Sequence, residues 1–144
     1  MTTINFLLVD DEKPFIETLA ERLRKRGFTV DCSFSGIDAL NQLENNKTID
    51  VVVLDVKMPG LDGIKTVKKI KKKHPLVEVI MLTGHSTILS AVEAIKLGAF
   101  DYLTKPCDIN ELISKVKQAV SRKKEREAKI FDIIIKLYST KQER

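Results

Sequence analysis

Five side chains could do chemistry together: the carboxylates of Asp10, Asp11 and Asp55, the hydroxyl of Thr83 and the amine of Lys105. Each follows a short apolar run rich in branched or aromatic residues: NFLLV before Asp10, VVVL before Asp55, VIML before Thr83 and FDYL before Thr104 and Lys105. Runs this short and this apolar read as strands buried on both faces. Open α/β sheets gather their chemistry at the carboxyl ends of such strands. Three carboxylates in one crevice repel one another unless a cation intervenes. An all-oxygen donor set, with no His or Cys nearby in sequence, favours a hard ion such as Mg2+. A metal, a hydroxyl donor and a lysine around one carboxylate suit phosphoryl transfer, which needs positioning and charge neutralisation above all. Asp55, at the end of the most apolar run, would be the nucleophile and would form an acyl phosphate.

The elements that must hold these groups alternate along the chain. Strands are expected at 5–9, 28–33, 51–54, 77–82 and 100–103, and helices at 13–26, 35–46, 63–73, from Ser86 or Thr87 to Leu97, and from about Asp108 to at least Val120. The first helix has apolar residues at Phe15, Ile16, Leu19, Ala20 and Leu23, with Pro14 in its first turn and Gly27 as its stop. The second is expected to turn Ile37, Leu40 and Leu43 inward, and the third Ile64, Val67 and Ile70. Pro59 and Gly60 would force a turn after Asp55, with Asp62 as N-cap of the helix that follows. Five strand–helix alternations predict a parallel sheet with helices on both faces, joined by right-handed crossovers. The units are too few for an eight-stranded barrel, so the expected class is α/β, a flavodoxin-like (βα)5 doubly wound sheet in the order 2-1-3-4-5.

These motifs, in order and spacing, resemble the receiver domain of two-component response regulators: VDDE at 9–12, LDVKMPGLDG at 54–63, MLTGH at 81–85 and GAFDYLTKP at 98–106. The resemblance covers about residues 1–120, and the wording of 84–113 is closest in kind to receivers of nitrogen-regulation-type activators. It implies that Asp55 accepts a phosphoryl group from a phosphohistidine on a sensor histidine kinase. It implies that Asp11 and Asp55 ligate Mg2+ with the backbone carbonyl of Lys57, Asp10 acting mainly through water. Lys105 would pair with the carboxylate and then with the phosphoryl oxygens. Thr83 and Tyr102 would be the switch pair, Lys105–Pro106 would be a cis peptide, and output would pass through the fourth helix, fifth strand and fifth helix. On this reading the chain is a signalling switch with self-catalysed phosphorylation and hydrolysis rather than an enzyme.

Two positions depart from the commonest pattern of that family. Lys57, two residues after Asp55, is expected to sit near the anion and alter the lifetime of the phosphorylated state. His85, two residues after Thr83, would flank the path of the hydrolytic water and is a poor ligand for Mg2+. Competing functions fit less well. A nucleotide or flavin carrier needs a hydroxyl- and glycine-rich loop where this chain has Asp10 and Asp11. A phosphohydrolase using Asp55 commonly carries a second acid where this chain has Lys57.

The chain has 144 residues, 43% hydrophobic and 31% charged, enough for one domain with a real core. No apolar run has membrane-span length, and the start lacks the basic region of a signal peptide. Cys32 and Cys107 show neither metal-like spacing nor a disulfide framework, which places the chain in a reducing cytoplasm. The net charge of +5 concentrates in Lys65–Lys73 and Arg122–Arg126. Without interleaved aromatics or a DNA-reading motif these are expected to be solvated faces, and no direct nucleic-acid binding is expected of this domain. Residues 121–144 form a charged and then apolar extension, with Ile130, Ile134 and Leu137 at helical spacing. It is read as a longer last helix pairing with a second copy, as a segment folded back on the domain, or as a linker to an effector domain or partner.

Overall fold

A computed structural model describes residues 3–58 and 60–142; the turn expected at Pro59 lies outside the described residues. Five strands, β1 (Asn5–Val9), β2 (Thr29–Ser33), β3 (Val51–Asp55), β4 (Glu78–Thr83) and β5 (Asp101–Thr104), alternate with α1 (Lys13–Lys25), α2 (Gly36–Asn45), α3 (Gly63–Lys73), α4 (Ile88–Lys96) and α5 (Ile109–Gln142). They form one sheet in the order β2-β1-β3-β4-β5, every pair parallel. The flavodoxin-like class and its strand order are as the sequence predicts.

Strand alternation divides the core in two. Phe6, Leu8, Val53, Ile80 and Leu82 face α1 and α5, whereas Leu7, Val9, Leu54 and Met81 face α2, α3 and α4. β3 is buried along its whole length, which explains its unbroken apolar run. Each buried Leu or Val here contributes about 1.5–3 kcal/mol relative to solvent exposure.

Local signals account for most boundaries. Ser35 and Asp62 cap α2 and α3, accepting the backbone N–H of Asp38 and Lys65. Gly27 (φ +92°) ends α1 in the left-handed conformation that a Cβ disfavours.

Several expectations need correction. Ile37 is 62% exposed, because Gly36, Ala39 and Leu43 are the α2 residues that reach the core. β4 runs one residue later than expected, and the Glu78 that opens it is fully buried, which its residue type does not suggest. The chain enters α4 through a 3-10 turn, His85–Thr87, and Thr87 makes no cap, since its hydroxyl bonds the Gly84 carbonyl and the Thr83 hydroxyl.

The basic clusters are only partly solvated. Arg122, Arg126 and Lys71 converge on the fully buried carboxylate of Glu78, with Arg126 Nη1 at 3.1 Å and Lys71 Nζ at 3.5 Å from Oε1. Lys123 pairs with Asp50 at 3.1 Å, and Asp50 in turn accepts the Asn5 N–H at 2.9 Å. These contacts fasten α5 to the end of the sheet opposite the acidic cluster.

Beyond them α5 continues without a break; the whole helix has 34 residues and is about 51 Å long at 1.5 Å per residue. Ile130, Phe131, Ile133, Ile134, Ile135, Leu137 and Tyr138 on it are 45–65% exposed, so the segment does not fold back on the domain. No helix among the described residues is long and apolar enough to cross a membrane.

Candidate phosphoryl-acceptor site

The register of the sheet brings the chemical groups to one rim. Val9 pairs with Leu54, so Asp10 and Asp55 end neighbouring strands at the same level. Asp55 pairs with Leu82 and Thr83 with Thr104, so Thr83 and Lys105 lie one step further along the same rim. The Lys105 N–H donates to the Thr83 carbonyl at 2.9 Å, closing β5 onto β4. Gly63, at the start of α3, has no room for a side chain: a Cβ would stand 2.5 Å from the Asp55 carbonyl oxygen. That close approach sets α3 against the strand end carrying Asp55.

Ligand atoms of Asp10, Asp11 and Asp55 all lie within 4.8 Å of one another. Asp10 is fully buried, Asp55 is 7% exposed and Asp11 is solvent-facing. Lys105 Nζ donates to Asp10 Oδ2 at 2.7 Å and stands 3.4 Å from Glu12 Oε1 and 3.5 Å from Asp55 Oδ1. Its closest partner is therefore Asp10, not Asp55. The ammonium also lies 4.8 Å from the centre of the Phe15 ring, which holds it over the rim.

The charges are out of balance. Burial, then the neighbouring Asp10 charge, pushes the Asp55 carboxyl up to about 6, against the pull of Lys105 and of the Lys57 backbone N–H. Burial also raises Asp10, with Lys105 and the Glu12 N–H opposing. For Lys105 burial alone would favour the neutral amine, but Asp10, Asp55 and Glu12 together hold the ammonium above its usual range. One lysine does not neutralise this group of acids. A small divalent ion would, and oxygen donors from three carboxylates suit Mg2+.

Thr83 is fully buried, and its hydroxyl donates to the Gly84 carbonyl at 3.0 Å and contacts the Thr87 hydroxyl. Both partners lie at the entry of α4, and the hydroxyl makes no hydrogen bond to Asp55. Tyr102 is half-buried on the α4 side of β5, packed against the cluster that contains Met81 and Ala91. The Lys105–Pro106 peptide is cis. Lys57 touches the site through its backbone N–H, and its side chain is exposed. The side chain of His85 lies outside what the structure describes.

Sequence reasoning did not find Glu12, Gly63 or Thr87. Glu12 and Thr87 carry no signal of their own type. Gly63 could have been found, because a glycine opening a helix directly after an N-cap costs stability unless close packing requires it.

Fold and site together define a flavodoxin-like α/β domain whose strand-end acids and lysine surround one buried aspartate. The model of the response regulator receiver domain matches residues 6–117, and the chain belongs to that family. It is similar to the DNA-binding transcriptional regulator NtrC of Escherichia coli (strain K12), 40% identical over 120 residues, 83% of this chain and 25% of that protein. It is also similar to the transcriptional regulatory protein ZraR of Salmonella typhimurium, 39% identical over 127 residues, 88% of this chain and 29% of that protein. The chain thus spans only about a quarter of the length of these curated relatives. Among solved structures, a response regulator receiver domain protein from Clostridium thermocellum matches with TM-score 0.81 and 37% identity, covering 84% of this chain and 97% of that one. The receiver domain of NtrX from Brucella abortus matches with TM-score 0.76 and 34% identity, covering 81% and 98%. The likeness to nitrogen-regulation-type receivers agrees with the motif wording. Phosphorylation and magnesium are typical of this family.

Proposed function

We propose that this chain is a phosphorylation switch whose Asp55 accepts a phosphoryl group from the phosphohistidine of a sensor kinase. The observation that carries the reading is the convergence of Asp10, Asp11 and Asp55 within 4.8 Å, with Lys105 Nζ 3.5 Å from Asp55 Oδ1. An Asp55 carboxylate oxygen forms the new P–O bond as the P–N bond to histidine breaks, and the departing imidazole keeps the electron pair. Water later attacks phosphorus, returning the carboxylate and releasing inorganic phosphate.

Asp11, Asp55 and the Lys57 carbonyl would hold Mg2+, with Asp10 behind a water; bound there, the ion supplies charge neutralisation at the phosphoryl oxygens. Lys105 is already within reach and needs only to shift from Asp10 toward the new anion. The Thr83 hydroxyl, now committed to Gly84 and Thr87, would turn to the phosphoryl group. That turn frees the entry of α4 and gives Tyr102 space to move inward, altering the α4–β5–α5 face. Output follows through an effector, on the same polypeptide or separate, in the cytoplasm. Incubating the full chain with Mg2+ and a small acyl phosphate is expected to add one phosphoryl group to the intact mass. No addition, or equal addition in EDTA, overturns the proposal.

Lys57 would place a cation near the path of the hydrolytic water. Its replacement, Lys57→Asn, is expected to change the dephosphorylation rate severalfold; identical decay curves for variant and parent would remove it from the mechanism. The exposed apolar band of α5 favours a second copy as the partner of that segment. Sedimentation is expected to show a dimer for the full chain and a monomer for a chain ending at Ser121, and equal association states would contradict dimerisation.

A further inference from the structure

On the face formed by α2 and α3, away from Asp55, lies an open groove of about 510 Å³. Its apolar surface comes from Ile37, Leu40 and Leu61, and its rim carries Lys69, Lys72 and Lys73. One end is closed by contact between the helices. A Cβ at Gly36 would stand 2.3 Å from Thr66 Oγ1 and 2.8 Å from the Leu61 carbonyl, so α2 and the start of α3 touch there. Toward their C-terminal ends the helices leave the groove between them.

Two observations mark this groove as a binding surface rather than a packing gap. The first is His74, which lines it with a side chain only 9% exposed. Its Nε2 is 3.4 Å from Glu44 Oε1 but makes no hydrogen bond, and so is a buried polar atom without a partner. Leaving such an atom unsatisfied costs about as much as a lost hydrogen bond unless something else supplies one. The second is charge. Glu44 is the one acid lining the groove among the described residues, and it is already shared between Lys47 and Lys73 at 3.7 and 3.9 Å. Lys69 and Lys72 have no acidic partner within ion-pair distance among the described residues.

We propose that the α2–α3 groove binds an acidic amphipathic helix of a partner protein. Apolar side chains at i, i+3/i+4 and i+7 would lie on Ile37, Leu40 and Leu61, and flanking Asp or Glu residues would meet Lys69, Lys72 and Lys73. A hydroxyl or amide side chain would satisfy His74 Nε2. A small molecule inside the groove would leave Ile37 uncovered at the lip, where it is 62% exposed. The C-terminal segment of a second copy is the wrong occupant, because its Lys129, Lys136 and Lys141 would face lysines with only Asp132 between them in the described part of that segment. Leu61 belongs to the connection that also carries Lys57, so an occupant would touch the segment leading from the acidic site.

The test is titration of the isotope-labelled full chain with a synthetic helical peptide of about 18 residues, Leu on one face and Glu on the other. A peptide of the same composition in an order that destroys the apolar face is the control. The expected result is NMR shifts at α2, α3 and the His74 imidazole with the patterned peptide only. A double variant, Ile37→Glu with Lys72→Glu, should bind at least tenfold more weakly while melting at the parent's temperature and taking up phosphate equally. Both positions are exposed, so folding is not at stake. Absence of binding, equal binding of the control peptide, or shifts confined to α4 or the exposed part of α5 would overturn the proposal.

Discussion

Asp55→Asn is expected to make the metal-free protein more stable at pH 7 while abolishing phosphoryl uptake. Asp55 is buried beside Asp10, and its carboxyl is pushed up to about 6. A carboxyl whose folded pKa lies above its unfolded value favours the folded state while it is protonated. That contribution is full below the unfolded value near 3.8 and is lost as pH rises through about 6. At pH 7 the parent therefore carries a destabilising charge that asparagine, nearly the same shape, does not. The difference corresponds to about 2–3 kcal/mol in favour of the variant. Lys105 keeps its 2.7 Å bond to Asp10 in either protein, so the substitution orphans no cation. Urea titrations at pH 7 and pH 4, both in EDTA, check this: the advantage should be large at pH 7 and nearly gone at pH 4. A variant less stable than the parent at pH 7 would contradict it. Added Mg2+ should raise the parent's stability by mass action and close the gap.

Glu78→Ala is expected to destabilise the fold by about 3 kcal/mol, within the range for breaking a buried ion pair. Glu78 is fully buried and receives Arg122 through both oxygens, Arg126 at 3.1 Å and Lys71 at 3.5 Å. Burial, with Arg126 and Arg122 beside it, already pushes the Lys71 ammonium pKa down, while Glu78 pulls it up. Without Glu78 the three cations repel one another. The arginines can swing toward water, but Lys71, 13% exposed, has less freedom. Glu78→Gln, which keeps hydrogen bonds but not the charge, should fall between. The consequence for α5 is local. Arg126 also donates to the Pro75 carbonyl at 2.8 Å, and Arg122 lies 4.8 Å over Phe100, so the root of the long helix is anchored through the same cluster. Amide exchange beyond Ser121 should speed up in Glu78→Ala. A stability change under 0.5 kcal/mol in denaturant titrations would show that the cluster only decorates the surface.

How far the sequence could be read follows from the range of each interaction. Strand ends are legible because a short apolar run and the polar residue that stops it are adjacent in the chain, which is why Asp10, Asp55 and Lys105 stood out. Their convergence follows from a parallel sheet, which puts all carboxyl ends on one rim. Side-chain direction is a finer matter. The hydroxyl of Thr83 is engaged by Thr87, four residues on, and nothing in the residue types says that the two would meet. Ile37 fails for a related reason: helical spacing alone does not say which side of a short helix meets the sheet, and Gly36 pressed on Thr66 and Leu61 decides it. The Glu78 cluster was hidden because its partners lie 44 and 48 residues away, on a helix whose arginines read as solvated.

Where a phosphoryl group lands is the most direct test of Asp55 as the acceptor. After exposure to Mg2+ and a small acyl phosphate, borohydride reduction converts an aspartyl phosphate to homoserine, which peptide mass spectrometry locates. Homoserine at position 55 alone, and none in Asp55→Asn, is the predicted result. Modification at Asp10 or Asp11, or uptake that persists in Asp55→Asn, would contradict it.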